Sequence, residues 1–273
     1  MDLPEIVEPL LPDNLNSLHD HEEEIHTKLV LEINANPKLK DQFEIFQESL
    51  DLIYDFIKLY KNKTEDEQIV QYLGIRLFNS IVTAIKLLLS GYYQVSFTIQ
   101  RDILETGFLL DYFLIDNTEI QNWKKCTKKE RFKKFSPFKI RDELDKRDGF
   151  ESKQRGQIYS NLCEYAAHPT YSGFRLVQSK GLGKTGPFMD EKFLNAVIEE
   201  LALRVPFFTI IFLQHFNDLP EEFLKAKIEY LLKIRTWAKK YLNLDLSHIK
   251  LDDLKEQADR LIATNKFSDF IVS

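Results

Sequence analysis

Within "RDILETGFLLDYF", residues 101–113, Arg101 and Glu105 stand four apart in a stretch otherwise rich in Ile, Leu, Phe and Tyr. A guanidinium is a permanent cation with five N–H donors that match phosphate or carboxylate, and a carboxylate one helical turn away can orient it. At about 100° per residue, Gln94, Thr98, Arg101, Glu105 and Tyr112 share one stripe of a helix whose other sides are apolar. That stripe has to face something. In one reading the ion pair is a structural clamp that sets helix register; in the other it lines a cleft for a ligand or a reaction.

A second constellation is "YSNLCEYAAHPT", residues 159–170, where Asn161, Glu164, Tyr165 and His168 fall on adjacent turns at the end of a helix. Glu164 can hold the His168 imidazole in one tautomer, as a general base or a phosphate-contacting histidine needs. Alternatively the imidazole caps the free carbonyls of the helix end, where the dipole favours it. Cys163 points about 140° away from His168 on a helix, so a thiol–imidazole nucleophile is excluded. "KGLGKTG" has the ending of a phosphate-binding loop, but Gln178 stands where the first Gly is required. Near the amino terminus, His19, His21, Glu23 and His26 include one Glu-x-x-His pair; a carboxylate-bridged di-iron bundle needs a second pair and two further inward Glu, which are missing. No metal and no cofactor are expected.

Charge is unevenly spread along the chain. The net charge of the 273 residues is −6, which gives no overall case for nucleic acid. Residues 1–26 carry eight acidic side chains and no Lys or Arg, whereas residues 123–147 hold eleven basic against four acidic. The basic segment includes Lys128, Lys129 and Arg131. Either the two segments are solvated faces that pair with each other, or the basic one meets phosphate or an acidic partner.

The elements that must position these residues are helices. Only 9 Gly and 9 Pro are present, and apolar residues recur at spacings of three and four. The fold class expected is all-α: an up-and-down helical bundle built on a long central helical hairpin, with extra terminal helices. Residues 1–36 read as an extended arm followed by an acidic helix, 37–245 as the bundle, and 246–273 as a terminal helix, about 251–263, with a tail. A stripe of Phe43, Phe46, Leu50, Ile53, Ile57 and Tyr60 marks one packing face. "TEDE" at 64–67 is a capping box that starts a helix ending at Gly91, and the next helix, from Tyr92 to about Asp116, follows almost without a linker; two such helices pack antiparallel. Further capping boxes are expected at Thr118–Gln121 and Thr127–Glu130, and a helix start at Ser136-Pro137. A helix from about Ser152 to Ala167 leads into the one long loop, 169–190, rich in Gly, Ser, Thr and Pro. Helices from about Asp190 to Asn217, kinked near Pro206, and from Pro220 to about Leu242 follow.

Cys126 and Cys163 belong to no pairing motif, and the amino terminus lacks the basic-then-apolar order of a secretion signal, so a cytoplasmic location is expected. "VPFFTIIFL", residues 205–213, is too short to cross a bilayer, and no membrane partner is expected.

The order "SGYYQVSFTIQRDILETGFLLDYFL" followed by "YSNLCEYAAHPT" resembles a group of uncharacterised prokaryotic helical proteins that carry Ser or Thr, Arg and Glu on one core helix and a later helix ending in His-Pro. The matching positions are Ser96 or Thr98, Arg101, Glu105, and His168 with Pro169. That group is distantly similar to HEPN domains, helical bundles that often act as metal-independent ribonucleases in defence and toxin–antitoxin systems. The resemblance implies RNA or nucleotide binding or RNA cleavage in a defence or stress system, with Arg101, Glu105 and His168 as the catalytic set; Thr98, with Tyr165 at the helix end and Lys128, Lys129 and Arg131 of the basic segment, are expected as binding residues. In that scheme Arg101 contacts phosphate, His168 is acid or base, and Glu105 orients Arg101. The catalytic HEPN pattern places an Arg four to six residues before a His on one helix, and none of the six His residues has one. Cleavage therefore needs Arg101 and His168 brought together from separate helices. The competing expectation is an interaction or antitoxin-like module that binds a protein partner or a second copy and does no chemistry.

Overall fold

A computed structural model of the chain describes residues 13–150 and 154–244. Among them are eleven α-helices: α1 (Asp13–Ala35), α2 (Pro37–Lys58), α3 (Glu65–Leu89), α4 (Tyr93–Phe113), α5 (Thr118–Lys125), α6 (Lys128–Lys134), α7 (Pro137–Arg147), α8 (Gln154–Leu162), α9 (Glu191–Ala202), α10 (Val205–Gln214) and α11 (Glu221–Leu242). The all-α bundle expected from apolar spacing is the fold observed. The arm expected at residues 1–12 and the terminal helix expected at 251–263 lie outside the described residues.

Local chemistry sets the helix ends. Asn36 accepts from the amides of Lys38 and Leu39, and Pro37, which has no amide to leave unpaired, takes the first turn of α2. Thr64 accepts from the Glu67 amide to start α3, but the Glu67 carboxylate turns to the Lys63 amide and the Tyr60 hydroxyl, so only half of the expected box forms. The box at Thr127 and Glu130 is complete. The one expected at Thr118 is not formed: the Asp116 carboxylate accepts from the Thr118 amide at 2.9 Å, and Gln121 reaches across to Glu65 and Asp66 instead.

The central hairpin is α3 and α4. Gly91 turns the chain between them with φ +77°, and a Cβ there would lie 2.7 Å from the Phe188 carbonyl oxygen, so conformation and space both require glycine. Ser96 donates to the Ala84 carbonyl at 2.8 Å, and Asp102 takes both the Ser80 hydroxyl and the Arg76 guanidinium, which records the antiparallel register. The helix α3 is long and apolar enough to cross a membrane by length and composition. Its apolar side chains pack on α2 and α4, and Arg76 stands in its middle, as expected of a bundle core helix.

On the far side of α4, α10 lies so close that a Cβ on Gly107 would meet the Phe208 ring at 2.3 Å. Aromatic rings of α2, α10 and α11 (Phe56, Phe212, Phe216 and Phe223, with Tyr60) stack and abut in the middle of one continuous core. The helix expected to be kinked near Pro206 is broken there into α9 and α10. Pro206 offers no amide and its ring blocks the carbonyl of Ala202, so the last residue of α9 is Ala202. The 169–190 loop is less irregular than its composition implies. It contains a 3-10 turn (Ser172–Val177) and a minimal hairpin, β1 (Gln178–Ser179) with β2 (Leu182–Gly183). Lys180 and Gly181 both have positive φ in the hairpin turn, the conformation a two-residue hairpin requires.

Candidate functional site

The site is assembled on α4 by α7 and α8. Ion pairs fix the second and third helices: Arg147 of α7 holds Asp111 of α4 with two bonds, at 2.7 and 3.1 Å, and Arg155 of α8 reaches Asp145 at 2.9 Å. With α7 and α8 so placed, Tyr159 donates its hydroxyl to Glu105 Oε1 at 2.7 Å. Arg101 Nε lies 3.7 Å from the same oxygen. Both side chains of that ion pair are about one-third exposed (33% and 31%), so the couple is neither sealed in the core nor fully wet. The guanidinium carbon of Arg141 stacks 3.8 Å from the centre of the Tyr159 phenol ring.

The helix α8 continues as a π-helical turn, Cys163–Ala167, closed by the His168 amide donating to the Cys163 carbonyl at 2.9 Å. The wider turn shifts the helix faces relative to a 3.6-residue period. Cys163, four residues after Tyr159 and so on the same face as it, also approaches Arg101. Burial works to lower the Arg101 pKa, but its contact with Cys163 and the charge of Glu105 outweigh it, and the guanidinium is held above its ordinary value. Burial first, and then the Glu105 carboxylate that accepts its bond, raise the Tyr159 phenol and keep its proton in place.

Glu105 and Arg141 line a cleft of about 390 Å³ between α3, α4, α6 and α7. Arg76 and Arg131 stand on its walls, and Leu73, Phe108, Trp123 and Phe135 supply apolar surface. Arg131 sits over the Trp123 ring, 5.9 Å from its centre. Arg141 is the unusual member. It is only 8% exposed, and its Nε and Nη1 nitrogens have no hydrogen-bond acceptor. Desolvation pushes its pKa down despite the neighbouring Tyr159 and Glu105. A buried guanidinium with unpaired donors is costly; both nitrogens are covered by protein, and an anion in the cleft that Arg141 lines would reach them only if the side chains over them moved.

The predicted residues divide. Arg101 and Glu105 are together, and Glu105 faces the cleft, as does Arg131 of the basic segment. Thr98 is used structurally: its hydroxyl donates to the Gln94 and Ala166 carbonyls and so ties α4 to the π turn. Tyr165 lines a different, mostly apolar cavity of about 410 Å³ with Phe97, Leu176 and Leu203. His168 is exposed at the end of the π turn, and among the described residues no hydrogen bond or ion pair joins its imidazole to Arg101, Glu105 or Glu164. Lys128 and Lys129 are exposed on α6. His19, His21, Glu23 and His26 lie on α1, and no group of metal-ligating side chains occurs among the described residues. None of the ion pairs among these residues joins α1 to the basic segment, whose Lys124, Lys146 and Arg147 pair with nearer carboxylates.

Sequence reasoning missed Arg141 and Tyr159. The signal for Arg141 was present: Ile140, Arg141, Leu144 and Asp145 share the inward face of α7, so a cation occupied a core position. Tyr159 carried no such mark. A larger groove of about 790 Å³ between α1, α2 and α3 includes Phe43 and Leu50 of the predicted α2 stripe, which are thus only partly covered. Its walls are mainly apolar and hold no buried unpaired polar group, so the chemistry lies with the smaller cleft.

Comparison with protein-family models, with characterised proteins and with solved structures found no match.

Proposed function

We propose that the cleft binds the phosphate of a nucleotide or of RNA, with Arg141 as its innermost donor and Arg131 and Arg76 at its walls. The observation that carries this reading is Arg141, buried with two nitrogens unpaired beside a space large enough for a ligand. Bidentate acceptance by phosphate is what such a planar fork favours. Trp123 and Phe135 offer apolar surface to a base or sugar. Glu105 is held by Tyr159 and Arg101, and its charge keeps a second anion from filling that end. The HEPN-like resemblance supports RNA as the ligand, in a defence or stress response.

Binding, not cleavage, is the function proposed, because among the described residues His168 makes no hydrogen bond or ion pair with Arg101 or Glu105. Calorimetric titration of the full chain with ATP and with a short RNA tests it. Arg141→Met should weaken binding at least about tenfold without lowering the melting temperature. Equal affinity of the variant and the parent chain rules the cleft out.

A further inference from the structure

Next to the cleft, α6 presents an unusual surface. Phe132 is 80% exposed and Phe138, in the first turn of α7, is 57% exposed. On the same short helix as Phe132, Lys128, Lys129 and Lys133 are exposed and make no ion pair among the described residues, and the Lys139 ammonium lies 5.9 Å from the centre of the Phe138 ring. The only acid of α6, Glu130, is drawn to the helix start, where it accepts from the Thr127 amide at 2.8 Å. Those bonds hold its pKa down and its charge at one end. The outer face is therefore cationic and aromatic on a short helix fixed by a complete capping box. Arg131, one residue before Phe132, lines the cleft, so the two surfaces adjoin through the same helix.

We infer that Phe132 and Phe138 are stacking platforms for unpaired bases, so that the full ligand of the site is a single-stranded nucleic acid whose backbone runs along the α6 lysines into the arginine cleft. The inference rests on the phosphate reading of the cleft. Aromatic faces accept any base, and lysines follow a backbone without reading sequence, so the strand is bound with little sequence preference. A duplex keeps its bases stacked on one another and leaves these rings uncovered. An anionic bilayer could meet the phenyl rings and lysines, but a flat surface does not reach Arg141 inside its cleft.

Fluorescence anisotropy on the full chain tests this, with labelled single strands of about four, eight and sixteen nucleotides, a duplex of matched length, and ATP as competitor. The longer single strands should bind at least about tenfold tighter than the duplex and than ATP. The double variant Phe132→Ala/Phe138→Ala, at two surface positions, should remove that advantage while leaving ATP affinity unchanged. Arg141→Met should weaken strand and ATP alike. Strand affinity untouched by the double variant, or a duplex bound equally well, overturns the inference and leaves the cleft reading intact. Insensitivity of every ligand to Arg141→Met overturns the cleft reading and, with it, the anchored strand. If vesicles rich in anionic lipid bind in a Phe132-dependent way and single strands do not bind, the surface is a membrane face and the inference is wrong.

Discussion

Arg141 and Lys227 are cations of equal exposure, 8% each, in two regions of the same bundle, yet they do opposite things. The Lys227 ammonium donates to the Leu213 carbonyl at 2.8 Å and to the Phe216 carbonyl at 3.5 Å, in the last turn of α10 and just beyond it. Beside it, His215 meets the Leu110 carbonyl at 2.9 Å. Here the cation is satisfied by carbonyls, although His215 also lines a polar cleft of about 400 Å³ with Glu67 and Asp218. The guanidinium of Arg141 stacks on Tyr159 but leaves two nitrogens unanswered beside a cleft. Burial alone therefore does not mark function. The donor inventory does.

This contrast can be broken by mutation. Removing Lys227 as Lys227→Ala should cost about 3 kcal/mol in urea unfolding, since it strips carbonyls of their partner and opens a cavity, and ligand affinity should not change. Arg141→Met should do the reverse. Binding of a nucleotide should fall by about 2 kcal/mol, roughly thirtyfold, while stability stays level or rises by about 1 kcal/mol because an unpaired charge leaves the interior. Were Arg141→Met as destabilising as Lys227→Ala and silent in titration, the two cations would be alike after all.

The Lys227 region also has a pH signature. Burial, with Lys227 nearby, pulls the His215 imidazole down to about 4 from 6.5, against the Leu110 carbonyl, which favours the protonated ring. A folded pKa below the unfolded one means that the unfolded chain takes up the extra proton, so stability falls as pH drops from about 6.5 towards 4. The loss expected across that window is about 2 kcal/mol, and melts of His215→Gln should be flatter over the same range. A parent curve with the same slope as the variant would show that His215 is not the titrating group.

The smallest effect sharpens the Arg141 region. Tyr159→Phe removes the hydroxyl given to Glu105 but keeps the ring under Arg141, so stability should fall by about 1 kcal/mol and nucleotide affinity by less than about threefold. A large loss of affinity would make the hydroxyl, and not the stack, the feature that sets Arg141.

Much of the fold was legible in the amino-acid order because its signals are local. Asn36-Pro37, Thr64 and Gly91 mark helix ends through one side chain or one missing Cβ, and the apolar stripes of α2, α3 and α4 repeat at helical spacing. The Arg101 and Glu105 couple was legible for the same reason, being one turn apart on one helix. Where a signal needed a neighbour, it failed. Thr118 had the spacing of a capping box, but Asp116 capped the turn first. The π turn at Cys163–Ala167 leaves no trace in periodicity, since one residue inserted into a turn shifts every later side chain without changing composition. His168 was grouped with Arg101 by resemblance, and no hydrogen bond joins the two among the described residues.

By itself the sequence determined that this chain forms helices, where most of them start and stop, and that a charged pair rides on one of the apolar ones. Those features depend on bonds and side-chain spacings within a few residues. Which arginine faces a cleft, which phenol holds Glu105 and which cation is satisfied by helix carbonyls was decided only by the packing of α6, α7 and α8 on α4. Such pairings join residues tens of positions apart, and nothing in the local order of a chain specifies the rotation at which two helices meet.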